Sequence, residues 1–328
     1  MMIDGNVWRY VVIAVVLVVL EQIYFRIADR FNIVDKPNER SSHKRVTIRG
    51  GGIVCLFGAW LYAVCFGIEY VWFLLGLTMI AAISFADDVR SVPNRYRIVV
   101  HFVSILLMFY EWGILNSTMW VWVVPAWVVC TGIINAYNFM DGINGITGAY
   151  SLAVLTPLAL LNSSMGFVDE RLIAVSIISL LVFCFFNFRT RAKCFAGDVG
   201  AVTIAFIVLF VLGRLIVRSG EVWYLLFLVV YGVDSILTII HRLILRENIF
   251  KAHRKHLYQL LANELHIPHV AVSAIYALLQ LLISLGMIWL PVSHDLYFIV
   301  VTMFLCLVYV VLKIRYYHLH EEYLKHCN

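Results

Sequence analysis

Charge is scarce in this chain. Asp, Glu, Lys and Arg make up 14% of its 328 residues, where soluble domains carry about 25%, and that shortage excludes a water-soluble globular protein. The seven cysteines (Cys55, Cys65, Cys130, Cys184, Cys194, Cys306 and Cys327) are an odd number without paired ligand spacing, most of them inside apolar runs. They argue against a disulfide framework and against zinc. There is no internal repeat and no low-complexity tract, which sets repeat architectures aside. No small-residue cleavage site follows the first apolar run, so that run reads as a retained helix rather than a signal peptide.

What is abundant is apolar surface, at 62% of residues. Most of it falls in runs of roughly 16 to 22 residues, the length a helix needs to cross a bilayer core of about 30 Å. Lone strands would leave backbone groups unsatisfied in lipid, so the runs are helices. The expectation is an all-α polytopic membrane protein, one domain over residues 1–328, with about eleven transmembrane helices. Their spans are roughly 7–27, 51–67, 70–86, 97–112, 119–136, 145–161, 170–187, 200–217, 221–241, 269–290 and 295–313. With the N-terminus outside, 21 of the 25 basic residues fall on the cytoplasmic side, as the positive-inside rule requires. The C-terminus is then cytoplasmic, and so is every polar-rich segment.

Five such segments share that face. Asp35 to Gly52 is basic, with Lys44, Arg45 and Arg49, and ends in three glycines whose N–H groups could approach an anion; positive-inside topology alone would also account for it. Asp87 and Asp88 are adjacent carboxylates that either recruit a cation such as Mg²⁺ or stand solvated beside Arg90. Ser91 occupies the last position of a DDxxD pattern, which removes a prenyl-synthase reading. Asn135, Asn138, Asp141 and Asn144 recur every third residue, either a polar row suited to a base, a ribose or a cation or a polar turn between helices. Asp198 lies between Gly197 and Gly200 at a helix start, as a cap or a metal ligand. His253 and His256 sit beside Arg254 and Lys255, followed by Leu257, Leu260, Leu261 and Leu265 at helical spacing. That pattern suggests an amphipathic helix on the membrane surface and a phosphate-binding edge. Within the spans, Asp234 and His101 are either functional or paired with another helix.

Carboxylates for a cation with Lys, Arg and His around them are equipment for phosphoryl transfer, and a site among lipid-facing helices implies a lipid reactant. The motif order DKPNER with GGG, then FADD, NAYNFMDGING, FAGDVG and HRKHLYQ resembles the polyprenyl-phosphate N-acetylhexosamine-1-phosphate transferase superfamily. This is glycosyl transferase family 4, which includes the phospho-muramoyl-pentapeptide and undecaprenyl-phosphate GlcNAc-1-phosphate transferases. The likeness is nearest to the branch that initiates O-antigen and capsule glycans, and it runs from Asp35 to Gln259.

The resemblance implies a multi-pass enzyme of the bacterial inner membrane. It would transfer N-acetylhexosamine 1-phosphate from a UDP-N-acetylhexosamine to undecaprenyl phosphate and release UMP. Mg²⁺ is the implied cofactor, with Mn²⁺ as a substitute; the partners are the two substrates and the lipid bilayer, no nucleic acid is involved, and a homodimer is compatible. By motif, Asp87, Asp88 and Asp141 are catalytic, and Asp198 and Asp88 lie at the metal. Lys44, Arg45, Arg49, Asn138, Asn144, His253, Arg254 and His256 bind substrate. The chain departs from the family at Asn144, where a second Asp is usual, at Ala201 for Ser, at Arg191 for Pro, and at Tyr258 and Gln259, where some branches carry further histidines. The competing reading is a transporter or flippase, motivated by Asp234 and His101, although paired half-repeats are absent. A CDP-alcohol phosphotransferase shares the DG pair but not the Ala-Arg and spaced Asp that should follow it.

Overall fold

The computed structural model describes residues 7–37, 42, 45–116, 118–249, 251 and 253–327. The expected apolar stretches are all helical. In order they are α1 (Val7–Arg30), α2 (Gly51–Phe66, opening with a 3-10 turn), α3 (Val71–Val89), α4 (Asn94–Trp112), α5 (Trp120–Met140), α6 (Ile146–Met165), α7 (Glu170–Asn187), α8 (Gly197–Ser219) and α9 (Val222–Ile244). After a short α10 (Leu257–Gln259) come α11 (His269–Trp289) and α12 (His294–Cys327). The fold is an all-α polytopic membrane protein.

Among the described residues, nine helices are long and apolar enough to cross a bilayer. Two of the expected spans fall short. Helix α2 belongs to the 10–17-residue class, at most about 25 Å long at 1.5 Å per residue, and α4 carries Arg95, Arg97, His101 and Glu111 along its length. The outward faces of α1 and α12 remain apolar, with Val11, Val15, Met303, Phe304 and Leu307 exposed, as lipid contact requires.

Helix α8 is the axis of the bundle: 89% of its most apolar window is buried, and α3, α5, α6 and the 3-10 turn of α2 pack around it. The approach to that turn is close enough to demand glycine on both sides. A Cβ on Gly52 would stand 2.3 Å from the Gly200 Cα. Gly197 has φ +71°, and a Cβ there would meet an Asp88 carboxylate oxygen at 2.6 Å. The glycines of GGG and GDVG therefore serve one contact, which brings the N-terminus of α8 against residues 49–52.

A two-stranded antiparallel hairpin, β1 (Val34–Asp35) with β2 (Thr47–Ile48), extends this contact. The β2 strand forms a parallel bridge from Ile48 to Cys194. For Gly51 and Gly52 the expectation of N–H groups offered to an anion is corrected here. Gly51 N–H donates to Phe195 O (2.8 Å) and Gly52 N–H to Ala196 O (3.2 Å), because two backbones this close satisfy each other before any ligand arrives.

The segment after His256 also differs from its expectation. It packs into the protein. Helix α10 runs into a π-helical turn, Leu260–Glu264, and Leu257, Tyr258, Gln259, Leu260 and Ala262 are all buried. The leucine spacing is compatible with either partner, lipid or protein, and tertiary packing chooses protein.

Candidate active site

One cavity of about 210 Å³ collects residues from four of the five polar segments: Asp35 and Arg49; Asn138, Asp141 and Asn144; Asp198; and Gln259. Segments at opposite ends of the motif order thus share one end of the bundle. Asp87 and Asp88, on the fifth, reach the same end through ion pairs. Lys44 lies outside the described residues, while Arg45 is exposed and does not line the cavity.

The carboxylates are laced together by two arginines. Arg49 places Nε 2.6 Å from Asp88 Oδ1 and Nη2 2.9 Å from Asp198 Oδ1. Arg97, counted in the sequence only toward topology, places Nη1 2.8 Å from Asp87 Oδ2 and Nη2 3.3 Å from Asp198 Oδ2. No motif spacing marks Arg97. Its signal is charge near the entry of a span, which the positive-inside rule already explains.

The adjacent aspartates are not equivalent. Asp88 has a fully buried side chain and accepts the Asp198 N–H on Oδ1 (3.0 Å) and the Val199 N–H on Oδ2 (2.9 Å). It thereby satisfies orphan donors at the start of α8 from another helix, and in this arrangement it holds Asp198 in place. Asp87 keeps partial exposure. Its Oδ1 accepts the Val92 N–H in the turn after α3 (2.7 Å), and its Oδ2 faces Arg97.

The polar row at the end of α5 divides. Asn135 is exposed, whereas Asn138, Asp141 and Asn144 line the cavity. Helix α5 ends at Met140, and Asp141 leaves helical geometry with ψ 60°, so residues beyond it no longer follow the three-residue step. Burial pushes the Asp141 carboxyl up to about 7, against a lowering hydrogen bond from Thr147 (2.7 Å), with Asp198 and Asp88 adding to the rise. Asn144 turns its Nδ2 to the carbonyls of Arg189 (2.8 Å) and Thr190 (3.3 Å). It ties the cavity wall to the α7–α8 loop, a donation that an Asp could not make.

His253 and His256 do not line the cavity. His256 is buried, with Nδ1 3.3 Å from Asp234 Oδ1. Burial, reinforced by neighbouring positive charge such as that of Arg242, lowers His253 to about 3, so at neutral pH it offers a hydrogen bond and no charge. Arg254 pairs with Glu264 at 3.4 Å.

Asp234, left open in the sequence, also accepts the N–H groups of Leu257 (2.9 Å) and Tyr258 (3.2 Å) and the Tyr276 hydroxyl (2.7 Å). Its oxygens are committed to holding the histidine segment, which leaves little for a transport path. Gln259, treated in the sequence only as a replacement, is the residue of this segment that reaches the cavity; its Oε1 accepts the His256 N–H (3.2 Å).

For a metal, no set of three His, Cys, Asp or Glu converges among the described residues. Mg²⁺ is commonly held by one or two carboxylates completed by water and phosphate oxygens. Asp141 and Asp198, both lining the cavity, suit that sharing with a phosphorylated substrate, and do not form an all-protein cage.

Comparison with known proteins finds similarity to sugar 1-phosphate transferases. The glycosyl transferase family 4 pattern matches residues 70–216. An undecaprenyl-phosphate alpha-N-acetylglucosaminyl 1-phosphate transferase of Thermotoga maritima is 23% identical over 292 residues, covering 86% of this chain and 88% of its own. A Bacillus subtilis protein named "Probable undecaprenyl-phosphate N-acetylglucosaminyl 1-phosphate transferase" is 26% identical over 228 residues, 62% of this chain and 63% of its own. The Escherichia coli K12 undecaprenyl-phosphate alpha-N-acetylglucosaminyl 1-phosphate transferase is 26% identical over 222 residues, 57% and 56% respectively. The matches thus span less than two thirds of the Bacillus and Escherichia relatives' length.

Proposed function

We propose, on the premise that this chain belongs to the polyprenyl-phosphate N-acetylhexosamine-1-phosphate transferase superfamily, that it transfers N-acetylhexosamine 1-phosphate from a UDP-sugar to undecaprenyl phosphate. The products are undecaprenyl-diphosphate-sugar and UMP. We place the reaction at the cytoplasmic face of a bacterial inner membrane, as the first step of an O-antigen, capsule or related envelope glycan. The observation that carries this reading is the polar cavity, lined by Asn138, Asp141, Asp198, Arg49 and Gln259, in a bundle whose outer surface is apolar.

A lipid phosphate is already anionic at neutral pH, since a phosphate monoester has its second pKa near about 6, so no strong base is required. A phosphate oxygen attacks the sugar-bearing phosphorus. The bond from that phosphorus to the bridging oxygen breaks, and UMP leaves with the electron pair. One phosphoanhydride replaces another, so the reaction runs readily in both directions.

Binding and orientation fall to the cavity residues. Asn138 and Gln259 carry amide donors for the nucleotide-sugar, Arg49 carries positive charge for its phosphates, and Asp141 holds or gives up a proton as the phosphates arrive. A divalent cation at Asp198, Mg²⁺ or Mn²⁺, would supply charge neutralisation on the diphosphate.

Membranes containing the protein are expected to convert a UDP-N-acetylhexosamine and undecaprenyl phosphate to lipid product and UMP, and to exchange labelled UMP into the UDP-sugar. EDTA and Asp198→Ala should abolish both. Absence of UMP exchange, or full activity of Asp198→Ala, counts against the reading. A panel of UDP-sugars in the same assay identifies the hexosamine.

A further inference from the structure

Both oxygens of Asp198 are occupied by guanidinium groups that come from different parts of the fold. Arg49, just after β2, is the better anchored of the two: it is 2.9 Å from Asp198 and also 2.6 Å from Asp88, which is itself fixed to the start of α8. Arg97, on the first turns of α4, makes the longer contact, 3.3 Å through Nη2. Its Nη1 meanwhile keeps Asp87 at 2.8 Å. Turning Nη2 away from Asp198 would leave the Asp87 pair intact.

A cation approaching Asp198 meets both guanidinium charges, and Arg97, with the longer contact, is the freer of the two to yield. A bare divalent ion would also meet the remaining positive charge at short range. A diphosphate changes both terms. Its oxygens would complete the shell of a cation at Asp198, and would offer the released guanidinium a new charge-assisted partner.

Resting on the reading of this site as a metal-using phosphosugar transferase, we propose that Arg97 is a positioning residue that makes divalent-cation capture at Asp198 conditional on a bound diphosphate. Before nucleotide binds, Arg97 holds the carboxylate; when a nucleotide diphosphate arrives, it passes Asp198 to the cation and turns to phosphate. This accounts for an arginine held between two carboxylates outside the cavity lining, a role that topology alone does not require.

The test is a titration of purified full-length protein with Mn²⁺, followed by electron paramagnetic resonance, with and without saturating UDP and with Mn²⁺–UDP in solution counted separately. Wild-type protein is expected to hold Mn²⁺ at least about tenfold more tightly with UDP. Arg97→Gln, which keeps the side-chain bulk and removes the charge, is expected to bind nucleotide-free Mn²⁺ about tenfold more tightly than wild type, the factor that about 1.4 kcal/mol carries. Its dependence on UDP should shrink accordingly. Arg97→Lys, which restores a positive charge, should return toward wild-type behaviour, and thermal unfolding in EDTA establishes that each variant is folded.

Equal Mn²⁺ affinity of wild type with and without UDP overturns the inference, as does Arg97→Gln binding nucleotide-free Mn²⁺ no more tightly than wild type. Failure of the underlying reading has a different signature. In that case UDP promotes no Mn²⁺ binding to any variant, and Asp198→Ala is indistinguishable from wild type.

Discussion

Asp234→Ala is the most demanding test of how the histidine segment is held. The carboxylate is 2% exposed and accepts from two backbone N–H groups, those of Leu257 and Tyr258, and from the Tyr276 hydroxyl. Thr238 Oγ1 at 3.2 Å and His256 Nδ1 at 3.3 Å complete its surroundings. Removing it strands several buried donors at once. At about 1–3 kcal/mol per unsatisfied group, with local rearrangement recovering part, a loss of about 3–6 kcal/mol is expected. For a large domain each kcal/mol shifts Tm by about 2 °C, so thermal unfolding in detergent should fall by about 6–12 °C.

The loss should concentrate in the segment that Asp234 holds. Limited proteolysis between Arg246 and His256 is expected to accelerate, and KM for the UDP-sugar should rise because Gln259 is no longer held at the cavity. Asp234→Asn keeps the volume and one acceptor oxygen, and should lie between wild type and Ala. A Tm within about 2 °C of wild type for Asp234→Ala, with unchanged proteolysis, would refute the assignment of Asp234 as the clamp of this segment.

Two further outcomes follow from single contacts. Asn144→Asp replaces a donor to the Arg189 and Thr190 carbonyls with a group that repels them; a loss of about 1–3 kcal/mol is expected, measured as a lower Tm, even though Asp is usual at this position in the family that the sequence resembles. In substrate-free protein, Asp141 is raised from 3.8 to about 7, so the folded state binds its proton more tightly than the unfolded chain. Its stabilising contribution is complete below about pH 4 and is lost as pH rises to about 7 and beyond; the slope of Tm against pH in that window should flatten in Asp141→Asn.

Much of the site was legible as residue types in order. Asp35, Arg49, Asn138, Asp141, Asn144 and Asp198 all stand in the polar segments of the sequence, and all line the cavity. Their pattern is local: glycines beside carboxylates and amides at helix ends stand out against apolar runs. Arg97 and Gln259 were not recognised, because an arginine near a span entry and a glutamine in a leucine-rich segment each have an ordinary explanation. The histidines stood out by type, yet His256 turned toward Asp234, a partner 22 positions away on a different element.

What the sequence by itself determined is the membrane-spanning helical architecture and the inventory of polar groups set among the apolar runs. Helix formation in lipid follows from the length and apolarity of each run, properties carried by consecutive residues and nearly independent of the rest of the chain. Only the tertiary structure decided how each polar group is used. Asp88 became the support of α8 while its neighbour Asp87 stayed with Arg97, the N–H groups of Gly51 and Gly52 were consumed by Phe195 and Ala196, and Asp234 became a clamp. Those outcomes depend on which donors lie within about 3 Å of which acceptors, between elements as far apart as Asp88 and Val199, and no spacing along the chain encodes that distance.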